Sequence, residues 1–567
     1  MTRGPGRGGF LPAGPASFPM ASSPFERYRV FLPGRDWTAF VEALERPEPR
    51  TFRIRRGRTT PEALLASLRR QGFEVAPVRE LPGVFRVDRE PYPLSETLEH
   101  WLGLFYIQQA ATCLAAPALA PRPGEGILDL CAAPGGKSSH LAELMEDRGC
   151  LVAVDLAERR VQAMAGNLSR LAHPSVITVI GDALRIPENA PFHRVLADVP
   201  CSGEGRSRRD GPQVASAGDL RRLPRLQEAL LRKALRLVPP GGRVLYVTCT
   251  LAPEENEAVV DRVLRTPDDG PGGSPPVRLV PVRPPVPHAP GLTRFEGARW
   301  LPELEGACRI HPHHLDSGGL FLALLERLHD DGSAAGPLPS TALELPGWTL
   351  PGTTLPAEAT REARTGSRHA RGGNSRSEAR PAQSPEERVG RARAILAELL
   401  PTPDSGSGEL GWMVRRDAVR FHRMPAWPLD AWEQAGERIR ILSAGLRGMD
   451  EDRGGELRPS GDLLRWLGPG IAHRGLELDD EEWISLLDGA ALRPDPETLP
   501  SGAEGGNDSI FLLRGGHPLV PARLKGDRIL HELPPPRTRW LRQVLARAAR
   551  PEPGSGPDPA PGNLSRS

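Results

Sequence analysis

Lysine is almost absent from this chain. Of 73 basic residues only three are lysines, Lys137, Lys233 and Lys525. Ammonium and guanidinium are not interchangeable, so a retained lysine either marks a place where guanidinium does not fit or is there by chance. Cysteine is scarce too, with Cys113, Cys131, Cys150, Cys201, Cys249 and Cys308 in 567 residues. That density argues against a disulfide framework and fits a reducing, cytoplasmic compartment. No CxxC pair is present, so no metal site is expected. An excess of one charge is also missing: 73 basic residues face 71 acidic ones, a net +2. This excludes a strongly basic nucleic-acid-binding tail but not a local basic groove. No apolar run approaches the roughly 20 residues of a membrane span. The opening stretch MTRGPGRGGFLPAGPASFPM lacks the apolar segment of a signal peptide and reads as a disordered lead over 1–23, with Met20 as an alternative start.

What is present is enough for several domains. Residues 24–120 read as a small α/β domain, in which PRTFRIRRGRTTPEALLASLRRQGFEV predicts strand, turn, a helix opened by Thr-Thr-Pro, and a stop at Gly72. Residues 121–328 alternate short apolar strands (127–131, 151–155, 176–180, 194–198, 243–249) with helices near 137–147, 157–171, 218–237 and 254–264. Near-continuous apolar strands between helices predict a parallel sheet covered on both faces. A Pro/Gly-rich insertion at 266–298 precedes a late strand, GGLFLALLER. Residues 329–390 are Ser/Gly/Pro/Ala/Arg/Glu-rich and read as a disordered linker. Order is expected again in an intermediate domain over 391–470 and a second module over 471–545, before a tail at 546–567.

GILDLCAAPGGKSSHLAELM (126–145) is strand, glycine-rich loop, helix. A phosphate-binding P-loop needs glycine where Cys131 stands, and the GxGxxG dinucleotide pattern is absent. The remaining reading is the loop that holds S-adenosylmethionine in doubly wound methyltransferases. Three acids support it: Asp155 at the end of the second strand, Asp182 after the third and Asp198 at the end of the fourth. A lone acid there is usually a cap or a solvated turn. Three along the carboxyl edge of one open α/β sheet, where ligands bind, form a site.

Two cysteines emerge at that same edge, Cys201 in LADVPCSGEG and Cys249 in YVTCTLAPEENE. Buried cysteine is ordinarily inert, the reading given to Cys113, Cys150 and Cys308, and to Cys131 apart from its backbone. Cys249 is followed by Leu-Ala-Pro-Glu-Glu, which predicts a helix start, and a helix N-terminus lowers a thiol pKa while first-turn glutamates oppose it.

CAAPGGK (131–137), DVPCSGEG (198–205) and YVTCTLAPEENE (246–257) together resemble the motifs of the Sun family (RsmB/Nop/Sun) of RNA 5-methylcytosine methyltransferases, in particular its RsmF-type branch, which acts on small-subunit ribosomal RNA. The resemblance covers most of 50–327 and, more weakly, 391–545. It implies a Rossmann-like methyltransferase sheet, a small α/β N-terminal RNA-binding domain, C-terminal RNA-binding (PUA-like) modules over 471–545, and a monomer. It implies Cys249 as the nucleophile, Cys201 as the thiol that resolves the adduct, and Asp198 on the cytosine ring. Lys137 either holds Asp198 or the base in place, or caps a turn. S-adenosyl-L-methionine is expected against Cys131, Ala132, Ala133, Pro134, Gly135, Gly136, Lys137, Asp155, Asp182 and Asp198. Arg160 either assists there or is an exposed helix arginine. RNA contact is expected from RIRRGR (53–58), RSRRD (206–210) and the C-terminal modules. Transfer RNA as substrate, and a non-catalytic ribosome-assembly factor on the same fold, remain open alternatives.

Overall fold

The computed structural model describes residues 25–266, 275–353, 383–400, 410–415, 418–432, 439–451, 455–495, 498–500, 509–531, 533 and 535–548. The expected lead (1–23) and tail (546–567) fall outside these residues, except that 546–548 close the last helix.

A ten-stranded sheet forms the centre. Its strands are β1 (Gly126–Asp129), β2 (Cys150–Asp155), β3 (Val176–Gly181), β4 (Arg194–Asp198), β5 (Arg243–Thr248), β6 (Val277–Val280), β7 (Ala289–Pro290), β8 (Cys308–Ile310), β9 (Leu320–Arg327) and β10 (Ile439–Ala444). They lie in the order β7-β8-β9-β5-β4-β1-β2-β3-β10, with β6 also paired to β9. The five strands β1 to β5 are parallel, and β9 and β10 add antiparallel at either side. The residues dictate this two-sided arrangement. Leu128, Val152, Ile177, Val195 and Val244 enter one core. Their neighbours Ile127, Leu151, Val176, Leu196 and Leu245 enter the other. Successive side chains point to opposite faces, so a strand apolar at every position must be covered twice. Helices Gly136–Leu144, Glu158–Arg170, Ala217–Arg236 and Glu257–Arg265 supply the cover.

The first domain carries an antiparallel sheet of Glu74–Pro77, Val84–Arg89, Arg50–Ile54 and Phe105–Ile107. Thr60 caps the helix Pro61–Arg70 by accepting from the Ala63 amide at 3.2 Å, and Gly72 closes it with φ +82°. The C-terminal part holds two four-stranded sheets, Gly411–Arg415 to Leu457–Pro459 and Gly475–Glu477 to Arg528–His531. The second shares one apolar cluster with the N-terminal domain, and Trp101 stacks on Trp540 with ring centroids 4.6 Å apart. No described helix is long and apolar enough to cross a membrane.

Three sequence expectations change here. First, the stretch read as linker from 329 is not free of structure. Trp348 is buried, donates to the Pro191 carbonyl at 2.7 Å and packs edge-on to Phe192. It closes over Gly126, where a Cβ would lie 2.4 Å from the indole. One tryptophan carries enough apolar surface to anchor a polar segment. Residues 354–382 of that stretch lie outside the described residues, and 385–390, also expected as linker, instead open the helix Pro385–Leu399 capped by Ser384. Second, β10 comes from within the expected separate domain 391–470, yet it extends the catalytic sheet along β3. Third, RIRRGR is not a basic surface. Arg53 is buried, donates to Ser139 Oγ at 2.9 Å and pairs with Glu143. Arg55 pairs with Asp147 at 2.6 Å and donates to the Leu171 carbonyl. Arg58 donates to the Arg465 and Trp466 carbonyls. A guanidinium presents its donors in a rigid planar fork that suits several fixed acceptors at once, and these arginines join domains.

Burial pushes the Asp147 carboxyl up, but His173 and Arg55 more than offset this and hold it at about 2. Removing one partner of a buried pair leaves an uncompensated charge. Arg55→Ala is therefore expected to lower unfolding stability by roughly 3 kcal/mol in denaturant titration, whereas Arg56→Ala, at an exposed position, stays within about 0.5 kcal/mol.

Candidate active site

The loop after β1 is held from three sides. The Ala132 amide donates to the Val154 carbonyl at 2.8 Å and the Gly135 amide to the Ala132 carbonyl at 2.8 Å. Asp155, buried at the end of β2, accepts from the Ala133 amide (3.3 Å) and the Ala157 amide (3.1 Å). Arg160 bridges the same two elements, pairing with Asp155 at 3.2 Å and donating to the Ala133 carbonyl at 2.6 Å. Asn167 Nδ2 donates to the Pro134 carbonyl at 3.0 Å. Gly135 has φ +99°, and a Cβ on Gly136 would lie 2.9 Å from the Tyr106 ring. Both glycines are thus required by turn and close approach. Arg160 is not an idle surface arginine here: it clamps the loop to Asp155.

Asp182 caps the short turn Ala183–Arg185 through the Leu184 amide (3.0 Å), leaving Oδ2 towards Arg185 at 3.5 Å. Asp198 accepts from Lys137 Nζ at 2.7 Å. Sequence reasoning passed over two residues beside these acids. Leu156 is 73% exposed and Leu184 37%, among few large apolar side chains left in solvent. Each directly follows, or nearly follows, an edge acid. Polar groups for hydroxyls and amines next to exposed leucines make an edge suited to a flat heterocycle bearing a ribose. The signal was in the sequence, as apolar residues at strand ends that no core required.

Cys201 and Cys249 come from loops after β4 and β5, and their sulfurs lie 3.2 Å apart. Both are free thiols. The Cys249 amide also points at Cys201 Sγ, at 3.3 Å. Glu255, fully buried, fastens the two loops together. It accepts from the Ser202 amide at 3.0 Å and the Ser202 hydroxyl at 2.5 Å, and from Gln227 at 2.7 Å. Ser202 Oγ meets Thr250 Oγ1 at 2.7 Å. Asn256 donates to the Thr250 carbonyl at 3.1 Å. The regular helix begins only at Glu257, so the expected helix start directly after Cys249 is instead a chain of turns, and the first-turn glutamates expected to oppose the thiolate are engaged elsewhere: Glu254 pairs with Arg27.

The Cys249 thiol is held below its usual range, foremost by its hydrogen bond with Cys201 and further by Lys137 and Arg206, against burial and the Asp198 carboxylate. Cys201 is pushed well up by the same bond and by burial. The bond between the two sulfurs therefore favours a thiolate at Cys249 over one at Cys201. Lys137 is opposed by burial, yet Asp198 raises it above the ordinary value, so it stays charged. Within RSRRD, Arg208 is buried and ties the Arg46, Pro47 and Ser317 carbonyls, while Arg206 and Arg209 lie on the open side.

A further carboxyl was not foreseen. Asp129 ends β1, fully buried, with Oδ2 accepting from Ser138 at 2.7 Å and Oδ1 unpartnered. Burial, with Asp198 nearby, raises it to about 7 against the pull of Ser138 and Lys137. A carboxyl raised on folding binds its proton more tightly in the native state, so stability is greatest below the unfolded value and falls as pH climbs towards 7. The expected result is a loss on the order of 2 kcal/mol between pH 5 and 8, seen as a falling denaturation midpoint and flattened in Asp129→Asn.

The family described as 16S rRNA methyltransferase RsmB/F matches residues 116–326. A 28S rRNA (cytosine-C(5))-methyltransferase of Mus musculus is 35% identical over 298 residues, 51% of this chain and 36% of that protein. A ribosomal RNA small subunit methyltransferase F of Erwinia tasmaniensis is 31% identical over 318 residues, 53% of this chain and 62% of that protein. A tRNA (cytosine(49)-C(5))-methyltransferase of Pyrococcus abyssi is 30% identical over 306 residues, 53% of this chain and 94% of that protein. The chain thus spans about a third of the mouse relative and nearly all of the archaeal one. With the glycine loop, the edge acids and both motif cysteines gathered at one end of the sheet, the chain belongs to the RsmB/F family of RNA cytosine-C5 methyltransferases.

Proposed function

We propose that this protein methylates carbon 5 of cytosine in RNA, through a covalent adduct on Cys249. The observation that carries the reading is the thiol pair itself: 3.2 Å between sulfurs, beside the Lys137–Asp198 pair, at the cofactor edge of a family methyltransferase sheet. Carbon 5 of cytosine is a poor nucleophile. Addition of the Cys249 thiolate at carbon 6 creates enamine character at carbon 5, which can then accept a methyl group. Asp198 is placed to hydrogen-bond the ring and favour its protonated form, with Lys137 fixing the carboxylate. After methylation a base takes the carbon-5 proton, its bonding electron pair re-forms the carbon 5–carbon 6 double bond, and the carbon 6–sulfur bond breaks to return Cys249 as a thiolate. Cys201, its sulfur 3.2 Å from that of Cys249, can assist that resolution.

The donor set fits S-adenosylmethionine. Asp155 offers carboxylate oxygens for ribose hydroxyls, Asp182 Oδ2 reaches towards an adenine amine, and Leu156 and Leu184 flank the place of the ring. Residues 131–137 line the opposite side. When bound, the sulfonium supplies the methyl group; the chain's residues orient it and exclude water. The target base must leave its stack to enter, and Arg206 and Arg209 sit where they can hold the flanking phosphates.

Small-subunit ribosomal RNA is the substrate favoured by the RsmF-type motifs. Transfer RNA is a second reading, supported by the archaeal tRNA enzyme that the chain covers almost end to end. The C-terminal module around Gly475–His531 is assigned a PUA-like, RNA-contacting role on the family pattern.

With transcribed small-subunit RNA or tRNA and labelled cofactor, Cys201→Ala is expected to accumulate an RNA–protein adduct that survives denaturing electrophoresis. Cys249→Ala should form no adduct and lose at least a thousandfold in turnover. An adduct on Cys249→Ala reverses the two roles, and no label in either RNA with the native chain refutes the activity. Whichever RNA is trapped more efficiently identifies the substrate class.

A further inference from the structure

We propose that Cys201 and Cys249 form a reversible modification site, at which a hydroperoxide oxidises the pair to a disulfide and so switches the catalytic centre off. The effect on activity rests on the role proposed above for Cys249; the modification itself rests on geometry alone.

β4 and β5 are neighbouring parallel strands with Asp198 opposite Val247. Their pairing runs on past the strand ends: the Val199 amide donates to the Val247 carbonyl at 3.1 Å, and the Gly205 amide to the Cys249 carbonyl at 2.9 Å. Adjacent strands lie about 4.8 Å apart, and a disulfide spans Cα atoms about 4.4–6.8 Å apart. The two sulfurs already stand 3.2 Å from each other, so closing to the roughly 2.05 Å of an S–S bond is a side-chain movement. Glu255 and Ser202 hold the two loops side by side in the reduced chain, and the bond would join what they already hold.

The six cysteines, all free thiols, differ in what an oxidant can reach. Cys113, Cys150 and Cys308 are buried, whereas Cys131, Cys201 and Cys249 are partly exposed. Burial pushes Cys113 and Cys308 up to about 12 and raises Cys150 as well. Burial and the neighbouring carboxylates do the same to Cys131. Of the six, only Cys249 is held below its usual range, and the thiolate is the form that reacts. An accessible thiol of this kind beside a second, resolving cysteine is the arrangement of a redox sensor. In a chain whose cysteines make no structural disulfide, a bond confined to one pair is a transient one.

The step balances as follows. The Cys249 thiolate attacks the terminal oxygen of the hydroperoxide, the O–O bond breaks, and the leaving alkoxide takes up the proton that Cys249 had released. Cys249 is now a sulfenic acid, oxidised by two electrons, and the peroxide is reduced to an alcohol. The Cys201 sulfur attacks the Cys249 sulfur, the S–O bond breaks, and hydroxide leaves with the Cys201 proton as water. A disulfide sulfur has no thiolate to add to carbon 6 of cytosine, so the oxidised chain is inactive until a dithiol reduces it.

The test uses the full chain, reduced, freed of reductant and treated with hydrogen peroxide. Remaining thiols are alkylated and the peptides mapped by mass spectrometry. The expected result is a peptide carrying Cys201 linked to one carrying Cys249, formed about tenfold faster than any change at the other four cysteines. Methyl transfer to RNA should fall with the linked fraction, to below about a tenth of the reduced value, and both should return with dithiothreitol. Cys201→Ala should instead stop at a sulfenic acid on Cys249, captured by dimedone, although mapping of the native chain decides without any variant. First oxidation at another cysteine, thiols lost without the linked peptide, or methyl transfer that survives complete linkage each overturn the proposal. A linked pair in a chain that methylates no RNA even when reduced refutes the methylation reading and leaves the modification site standing. A chain that methylates RNA but never forms the bond does the reverse.

Discussion

The site depends on one buried carboxylate. Glu255 touches no substrate position, yet it receives both hydrogen-bonding groups of Ser202 and the Gln227 amide, while its own chain segment continues from Cys249. Parallel strands β4 and β5 would leave their two loops to splay at the sheet edge. Glu255 draws them together, and the Ser202–Thr250 contact completes the join. Burial raises the Glu255 carboxyl, and its three donors pull the other way. A charged group is tolerated there only because those donors surround it. The two loops that carry the sulfurs, 3.2 Å apart, are held side by side by this join.

The same economy of contact runs through the N-terminal domain. Tyr28 donates to Glu204 at 2.6 Å, and Glu204 accepts from the Ala215 amide, so the first described segment helps shape the loop after Cys201. Arg53 and Arg55 reach the opposite side of the glycine-loop helix. The first domain is therefore built into the walls of the catalytic domain, and its arginines are consumed by that role. Exposed arginines lie elsewhere, among them Arg209, which pairs with Asp210.

Much of the centre was legible in the sequence, for a physical reason. Parallel strands buried on both faces have no choice but to be apolar throughout, and β1 to β5 lie within two residues of where the pattern placed them. The motifs put both cysteines and the edge acids on one rim because strand ends are fixed by those apolar runs. What could not be read was non-local. The glutamates after Cys249 look like first-turn residues in one dimension; in space Glu255 binds Ser202 and Glu254 binds Arg27. RIRRGR looks like a basic patch because its acceptors, Asp147, Glu143 and the Leu171, Arg465 and Trp466 carbonyls, lie as far as 408 residues away. The edge strand β10 and the anchor Trp348 sit beyond or within polar stretches whose average composition hides a single buried contact.

Lysine scarcity shows how far composition carries. Lys137 does sit where a compact ammonium is needed, in a narrow gap between the glycine loop and Asp198. A guanidinium there would have to place a wide planar fork against one carboxylate oxygen under the bases of two loops. Lys233, however, is just as buried and pairs with Glu188 at 2.6 Å on the back of the sheet, far in sequence from every motif, and Lys525 is exposed at the end of a C-terminal strand. Two of the three lysines thus fill buried ion pairs, one beside the motifs and one away from them, and the third is exposed. What sets Lys137 apart is the company it keeps: the Asp198 carboxylate at a strand end, the Cys249 thiol and a second buried acid, Asp129.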